Sequence, residues 1–161
     1  MTFRLAGLAL AGALVAQGAG AADVTMRISL QLPLKSHLGQ NLVAFEERVE
    51  AASDGAIDVE IYDSAQLYKD KEVPQAVGSG AIEAGVASLT RYVGDIPAVA
   101  IFYMPFLFNT KATVPAAVAP DSLIRPALDD AIADTGSTVL WWQAYGGAVM
   151  LSKDGQIARP E

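Results

Sequence analysis

The sequence predicts an α/β fold with a mostly parallel sheet flanked by helices, and three observations carry that expectation. Val24, Met26, Ile28 and Leu30 alternate with Thr25, Arg27 and Ser29, and Ile57, Val59 and Ile61 alternate with Asp58 and Glu60, the period of a strand with one apolar face. Between the two runs, Leu38, Leu42, Phe45 and Val49 recur at helical spacing, so strand, helix and strand follow in the order of a parallel crossover. Ala84-Gly85-Val86-Ala87-Ser88-Leu89 is short, apolar and bounded by turn residues, as a third strand buried on both faces would be.

Before the first strand, residues 1–22 have the order of a secretory signal. Arg4 precedes an apolar run from Leu5 to Ala16, and small residues follow through Gly18, Ala19, Gly20, Ala21 and Ala22. Ala19 and Ala21 supply the small pair that a signal peptidase accepts, which places the mature start at Ala22 or Asp23. The alternative is an uncleaved anchor, but a bilayer core needs about 20 apolar residues and this run is shorter and broken by Gln17. No cysteine lies near the junction, which excludes a lipid-anchored lipoprotein.

The remaining elements follow in chain order. Ser36 is placed to cap the first helix, with Glu46, Glu47, Arg48 and Glu50 on its polar face, and Asp54-Gly55 closes it because Gly55 accepts a left-handed backbone. After the polar loop Asp63 to Leu67, a helix is expected from Asp70 to Ser79, with Pro74 tolerated near its first turn and Gly78 and Gly80 ending it. Ile96 to Phe108, broken by Pro97 and Pro105, reads as a helical turn followed by an anchored loop. Helices are expected from about Asn109 to Val118, shortened by Pro115, and from Ser122 to Ala133, with Leu123, Leu128 and Ile132 roughly on one side. Ser137 to Tyr145 is rich in Val, Leu, Trp and Tyr and is expected to form a fourth strand, with a shorter one near Val149-Met150-Leu151.

Charge and composition narrow the function. Without residues 1–22 the chain keeps ten basic against 18 acidic residues, a formal charge of −8, and such a surface repels nucleic acid and anionic lipid. Cysteine is absent, so an exported chain of this size holds its core by burial alone. Nucleophilic catalysis is poorly supplied: His37 is the single histidine, and no Gly-x-Ser-x-Gly elbow is present. Oxygen ligands for a metal could be drawn from Asp58, Glu60 and Asp63, but the alternation puts the first two on the solvent face, and no metal or cofactor is expected. Gly78-Ser79-Gly80 follows a helix rather than a strand and is better explained as a helix end than as a dinucleotide loop, while Asp70 and Glu72 suit the positive end of the second helix.

Ligand binding is the chemistry the pattern does support, because the crevice of an open parallel sheet lies outside the carboxyl ends of its strands. Four loops lie there: Gln31 and the Ser36-His37 helix start after the first strand, Gln66 and Leu67 after the second, Ser88, Thr90 and Arg91 after the third, and Tyr145 with Gly146 after the fourth. They offer amide and hydroxyl groups, one guanidinium and aromatic walls, suited to a carboxylate and its apolar body. Each has a plainer reading as well: His37 as a helix cap, Arg91 paired with Asp95, Tyr145 packed in the core.

Several of these segments together resemble the solute-binding proteins of TRAP (tripartite ATP-independent periplasmic) transporters, the DctP type. The likeness runs through Ser36-His37 to Phe45-Glu46-Glu47-Arg48-Val49-Glu50, the Gly55 to Tyr62 strand, Gln66-Leu67, Gly80-Ala81-Ile82-Glu83-Ala84-Gly85, Tyr145-Gly146-Gly147 and Ile157-Ala158-Arg159-Pro160-Glu161. Met104-Pro105-Phe106-Leu107-Phe108 matches the family's Leu-Pro-Phe-Leu-Phe signature with Met in the first position. The resemblance implies a periplasmic-binding-protein-like lobe, a small organic acid as ligand, delivery to membrane permease subunits, and no covalent chemistry. Family members are about twice as long, and the arginine that pairs with the substrate carboxylate follows a Pro-Glu like the one ending this chain. Residues 23–161 are therefore expected to be the first lobe, incomplete at the crossing into a second, with a one-sided cleft that binds weakly alone. Two other readings stay open: a secreted hydrolase domain using His37, and an exported non-catalytic domain that binds a protein through its apolar loop from Phe102 to Phe108.

Overall fold

A computed structural model describes residues 22–108, 110, 112–146 and 153. The expected signal segment and the short strand near Val149 lie outside the described residues. Strand β1 (Val24–Ser29), helix α1 (His37–Ala52) and strand β2 (Ile57–Tyr62) form the expected crossover, followed by α2 (Val73–Gly78) and β3 (Ala84–Gly85). Two 3-10 segments, Leu89–Tyr92 and Pro97–Tyr103, lead to α3 (Thr113–Ala117) and α4 (Arg125–Ala133). The sheet order is β2-β1-β3, with β1 parallel to both neighbours and Met26 opposite Val59.

The spacing that marked α1 is the spacing that buries it. Leu38 and Leu42 pack with Ile28, Leu30 and Val59 into one core, and Phe45 and Val49 border it. Ser36 caps the helix by accepting the Gly39 N–H at 3.1 Å. At the other end the Gly55 N–H reaches back to the Glu50 carbonyl at 2.9 Å, and both Asp54 (φ 52°) and Gly55 (φ 79°) are left-handed, so the reversal extends over two residues. A second core joins Tyr92, Ile96 and Val99 to Leu128 and Ile132 of α4. A Cβ on Gly78 would lie 2.5 Å from the Thr135 carbonyl, so only glycine lets α2 approach the end of α4 this closely.

The outer edge of β2 is closed by its own crossover helix. Ser53 Oγ accepts the Ile57 N–H and Glu50 Oε1 the Val59 N–H, both at 3.1 Å, so side chains occupy donors that another strand would otherwise seek. One turn earlier, Glu46 is held above the usual carboxylate range, first by burial and then by Glu50, Glu47 and Asp58.

A carboxylate also extends the ladder on the other side of β1. Glu83 accepts the Arg27 backbone N–H at 2.9 Å and its guanidinium at 2.9 and 2.8 Å, just before the β3 ladder begins. The Arg27 guanidinium and then its N–H hold the Glu83 carboxyl down to about 2. The fold thus favours ionised Glu83, and this contribution is full above the ordinary carboxylate value and fades as pH falls from about 4.5 towards 2. The pair is partly open to water, which screens it. Glu83→Gln is expected to lower the melting midpoint by roughly 4 °C at pH 7 and to leave no difference from wild type near pH 2; equal midpoints at pH 7 would contradict the assignment.

Five expectations need correction. Helix α2 starts at Val73 rather than Asp70, because Pro74 has no N–H to donate and is accommodated only in a first turn; α4 likewise starts at Arg125, with Pro126 in its first turn. Helix α3 shrinks around Pro115 to five residues. Leu123, expected on the apolar side, is fully exposed because it precedes α4 instead of riding on it. Residues 137–145 form no strand: both edges of β1 are taken, and the β3 ladder stops at Gly85, where the chain turns into a 3-10 segment. That stretch docks through side chains instead, with Val139 and Trp142 against the second core and Trp141 on Phe45, ring centres 5.2 Å apart.

Candidate functional site

Because β1, β2 and β3 are parallel, Ser29, Tyr62 and Gly85 end at one rim, and the loops leaving them lie side by side. The 63–72 loop after β2 ties this rim together through an aspartate near each end. Asp63 Oδ2 accepts the Leu34 N–H at 2.9 Å, and its Oδ1 accepts Gln66 Nε2 at 2.8 Å, fastening the loop after β1 and orienting one predicted amide. Ser64 and Ala65 donate backbone N–H groups to Leu32 and Leu30, at 3.0 and 2.9 Å, while both hold left-handed φ of 52° and 58°. Left-handed backbone is costly for residues with a Cβ, by about 1–2 kcal/mol each, so these bonds hold a shape the chain would otherwise leave.

Further along the same loop, Ser29 Oγ donates to the Tyr68 carbonyl at 3.2 Å, and Asp70 reaches the exit of β3. Asp70 Oδ1 accepts the Ser88 N–H at 2.8 Å and Oδ2 accepts Arg91 Nε at 2.6 Å. The Thr90 N–H donates to the Tyr103 hydroxyl at 3.2 Å. On the far side of the rim, His37 Nε2 lies 3.1 Å from the Ala144 carbonyl, so the start of α1 holds the residue before Tyr145.

Gln31, Gln66 and His37 are thus gathered around the ends of β1 and β2, Ser88, Thr90 and Arg91 around the end of β3, and Tyr145 reaches the rim through its neighbour's contact with His37. Tyr145 does not pack in the core; it is 56% exposed. Arg91 pairs with Asp70, not with Asp95, because its segment is a 3-10 helix and not the α-helix that a four-residue pairing needs. Gln31 Oε1 is out of solvent with no partner among the described residues.

Local spacing does not mark the two aspartates that tie this rim together. From the sequence Asp63 reads as one of three possible oxygen ligands and Asp70 as a partner of a helix dipole, yet neither lies on a helix, and Asp63 directly follows a strand, a position where its side chain can bond nearby backbone. Asp58 is exposed and Glu60 accepts the Tyr62 hydroxyl at 2.6 Å, and among the described residues no group of three acids or histidines is placed to hold a metal. A separate groove of about 570 Å³ runs along α1 between Asn41 and Ala52 under Trp141; none of the predicted ligand residues lines it.

Against this geometry, residues 28–161 match the family described as bacterial extracellular solute-binding protein, family 7 (DctP). The chain belongs to the DctP family. A solute-binding protein of Verminephrobacter eiseniae is 31% identical over 140 residues, 87% of this chain and 41% of the relative. The C4-dicarboxylate-binding periplasmic protein DctP of Rhodobacter capsulatus is 37% identical over 75 residues, 44% of this chain and 22% of the relative. A TRAP periplasmic solute-binding protein of Sulfurospirillum deleyianum with bound succinate superposes with a TM-score of 0.65 at 23% identity, over 71% of this chain and 36% of that one. The sugar acid binding protein DctPAm of Advenella mimigardefordensis, in complex with galactonate, gives 0.64 at 25% identity over 70% and 36%. The DctP-family chain therefore spans well under half the length of these relatives and has the fold of part of a lobe. Among the described residues no helix is long and apolar enough to cross a membrane.

Proposed function

We propose that this chain is the periplasmic solute-binding component of a TRAP-type transporter, exported by residues 1–22, with residues 23–161 forming most of a first lobe. It captures a small organic acid for delivery to membrane permease subunits. One observation carries the reading: three loops leave a parallel sheet at one rim, and one of them, the 63–72 loop, binds the other two, where an open α/β sheet places its ligand. Gln31, His37, Gln66, Ser88, Thr90, Arg91 and Tyr145 are the ligand-facing set, with Arg91 as the cationic member. The organic-acid class is supported by relatives described with succinate, with galactonate and as C4-dicarboxylate binding. A hydrolase is disfavoured by His37, whose Nε2 is occupied by a carbonyl.

One lobe's rim covers one side of a ligand, so water keeps access to the ion pair and the pair gains little. Calorimetry of this chain with succinate, galactonate and pyroglutamate is expected to give dissociation constants weaker than micromolar; a micromolar constant overturns the one-sided cleft. Mass spectrometry of the exported protein is expected to place its first residue at Ala22 or Asp23.

The protein-interaction reading is favoured by one observation. Tyr103, Met104, Phe106 and Leu107 are 51%, 57%, 89% and 45% exposed, and Phe106 holds a left-handed φ of 65°. The double variant Phe106→Ser, Leu107→Ser is expected to raise the monomer fraction in sedimentation at high concentration; an unchanged distribution removes the support for this reading.

A further inference from the structure

We propose that Asp70 is a positioning residue of the organic-acid site: it holds Arg91 by Nε and leaves the Nη1–Nη2 end of the guanidinium for a second oxyanion of the ligand, apart from the carboxylate that the family's own arginine pairs with. The inference rests on the function proposed above and adds to it a residue that touches no ligand.

The geometry separates the two jobs. Asp70 is the more sheltered partner, its side chain 16% exposed against 43% for Arg91. Both of its oxygens are engaged, one by the Ser88 N–H and one by Arg91 Nε, so it secures the backbone of the β3 exit and the side chain three residues on. Arg91 spends one of five N–H groups on this bond, and among the described residues neither Nη1 nor Nη2 meets an acceptor. Those two nitrogens form the end-on fork that fits a carboxylate with two parallel hydrogen bonds. A long, exposed arginine otherwise loses considerable rotamer freedom on binding, and a buttress at Nε takes that loss in the free protein. Asp70 also belongs to the loop that fastens Leu34 and Gln66 through Asp63, so the guanidinium is registered against the other ligand-facing groups.

Orientation and charge predict opposite signs, which makes the role testable. If Asp70 acted only as a nearby negative charge, removing it would tighten binding of an acid; as a positioning residue, its removal weakens binding. In ¹⁵N-labelled wild type, the Arg91 Nε–Hε resonance is expected to be shifted and slow to exchange at neutral pH, to collapse to the free-arginine position in Asp70→Asn, and to be recovered in part by Asp70→Glu. A resonance already free in wild type overturns the buttress. NMR titration with succinate, which reads millimolar affinities, then completes a cycle. Asp70→Asn and Arg91→Lys are each expected to weaken binding about fivefold, and the double variant no further than Arg91→Lys alone. Tighter or unchanged binding by Asp70→Asn, or losses that add, overturn the positioning role while leaving the organic-acid site standing. Wild type that binds none of succinate, galactonate or pyroglutamate, with the Arg91 resonance still protected, overturns the proposed function and Asp70's ligand role with it. Amide dispersion reports whether Asp70→Asn is folded; Asp70→Glu and Arg91→Lys keep the test decisive if it is not.

Discussion

Asp63→Ala is expected to destabilise the chain by about 2–3 kcal/mol in urea unfolding and to loosen the rim before the rest of the fold opens. The substitution removes the acceptor of the half-buried Leu34 N–H and of Gln66 Nε2, and it frees a loop whose next two residues are left-handed. An N–H left without an acceptor costs its full desolvation, about 1–3 kcal/mol, which exceeds the net worth of the bond itself. Native-state hydrogen exchange should show Leu34, Ser64 and Ala65 amides opening well below the free energy of the Ile28 amide in the central strand. Ala65→Gly provides the internal control. It removes the Cβ penalty at a φ of 58° and is expected to stabilise wild type by about 1 kcal/mol, and to recover a similar amount in Asp63→Ala. If Asp63→Ala unfolds at the wild-type urea midpoint, the 63–72 loop is not what holds the rim together.

Gly39→Ala is expected to cost about 2–3 kcal/mol despite placing a better helix former inside α1. By helix propensity alone the exchange would gain about 1 kcal/mol. Yet a Cβ at this position would lie 2.5 Å from the Leu34 Cα, and backbone has no rotamer by which to move aside. The start of α1 must then retreat from the loop after β1, stretching the bond from Gln40 Nε2 to the Leu34 carbonyl, now 2.9 Å, and shifting His37 away from Ala144. Urea unfolding measures the loss, and the His37 ring resonances report the shift; a stabilised Gly39→Ala would mean that α1 does not seat on Leu34 as described.

Parts of the rim were legible because they depend on local spacing. The alternation of Val24 to Leu30 and of Ile57 to Ile61, with a helix between them, implies parallel strands and therefore a shared rim, which is where Gln31, His37, Gln66 and Ser88 do lie. The partners of those residues were not legible. Nothing near Asp70 in the chain says that it will receive the Ser88 N–H, and nothing in Arg91 distinguishes a pairing with Asp70 from one with Asp95. The same limit governs Ser137 to Tyr145: its β-prone composition is real, but a strand needs a neighbouring edge of some length, and the edge strand β3 ends after two residues.

Apolar periodicity within a few residues determined β1, α1, β2, their parallel sense and so the rim at which the three strands end, since burying a stripe or an alternating face is a local demand that one arrangement satisfies. Tertiary structure decided the rest: the two-residue length of β3, the exposure of Leu123, and the capture of Ser88 and Arg91 by Asp70. Those outcomes turn on which donor and acceptor arrive within 3 Å from distant parts of the chain, and that distance is set only once both cores have packed.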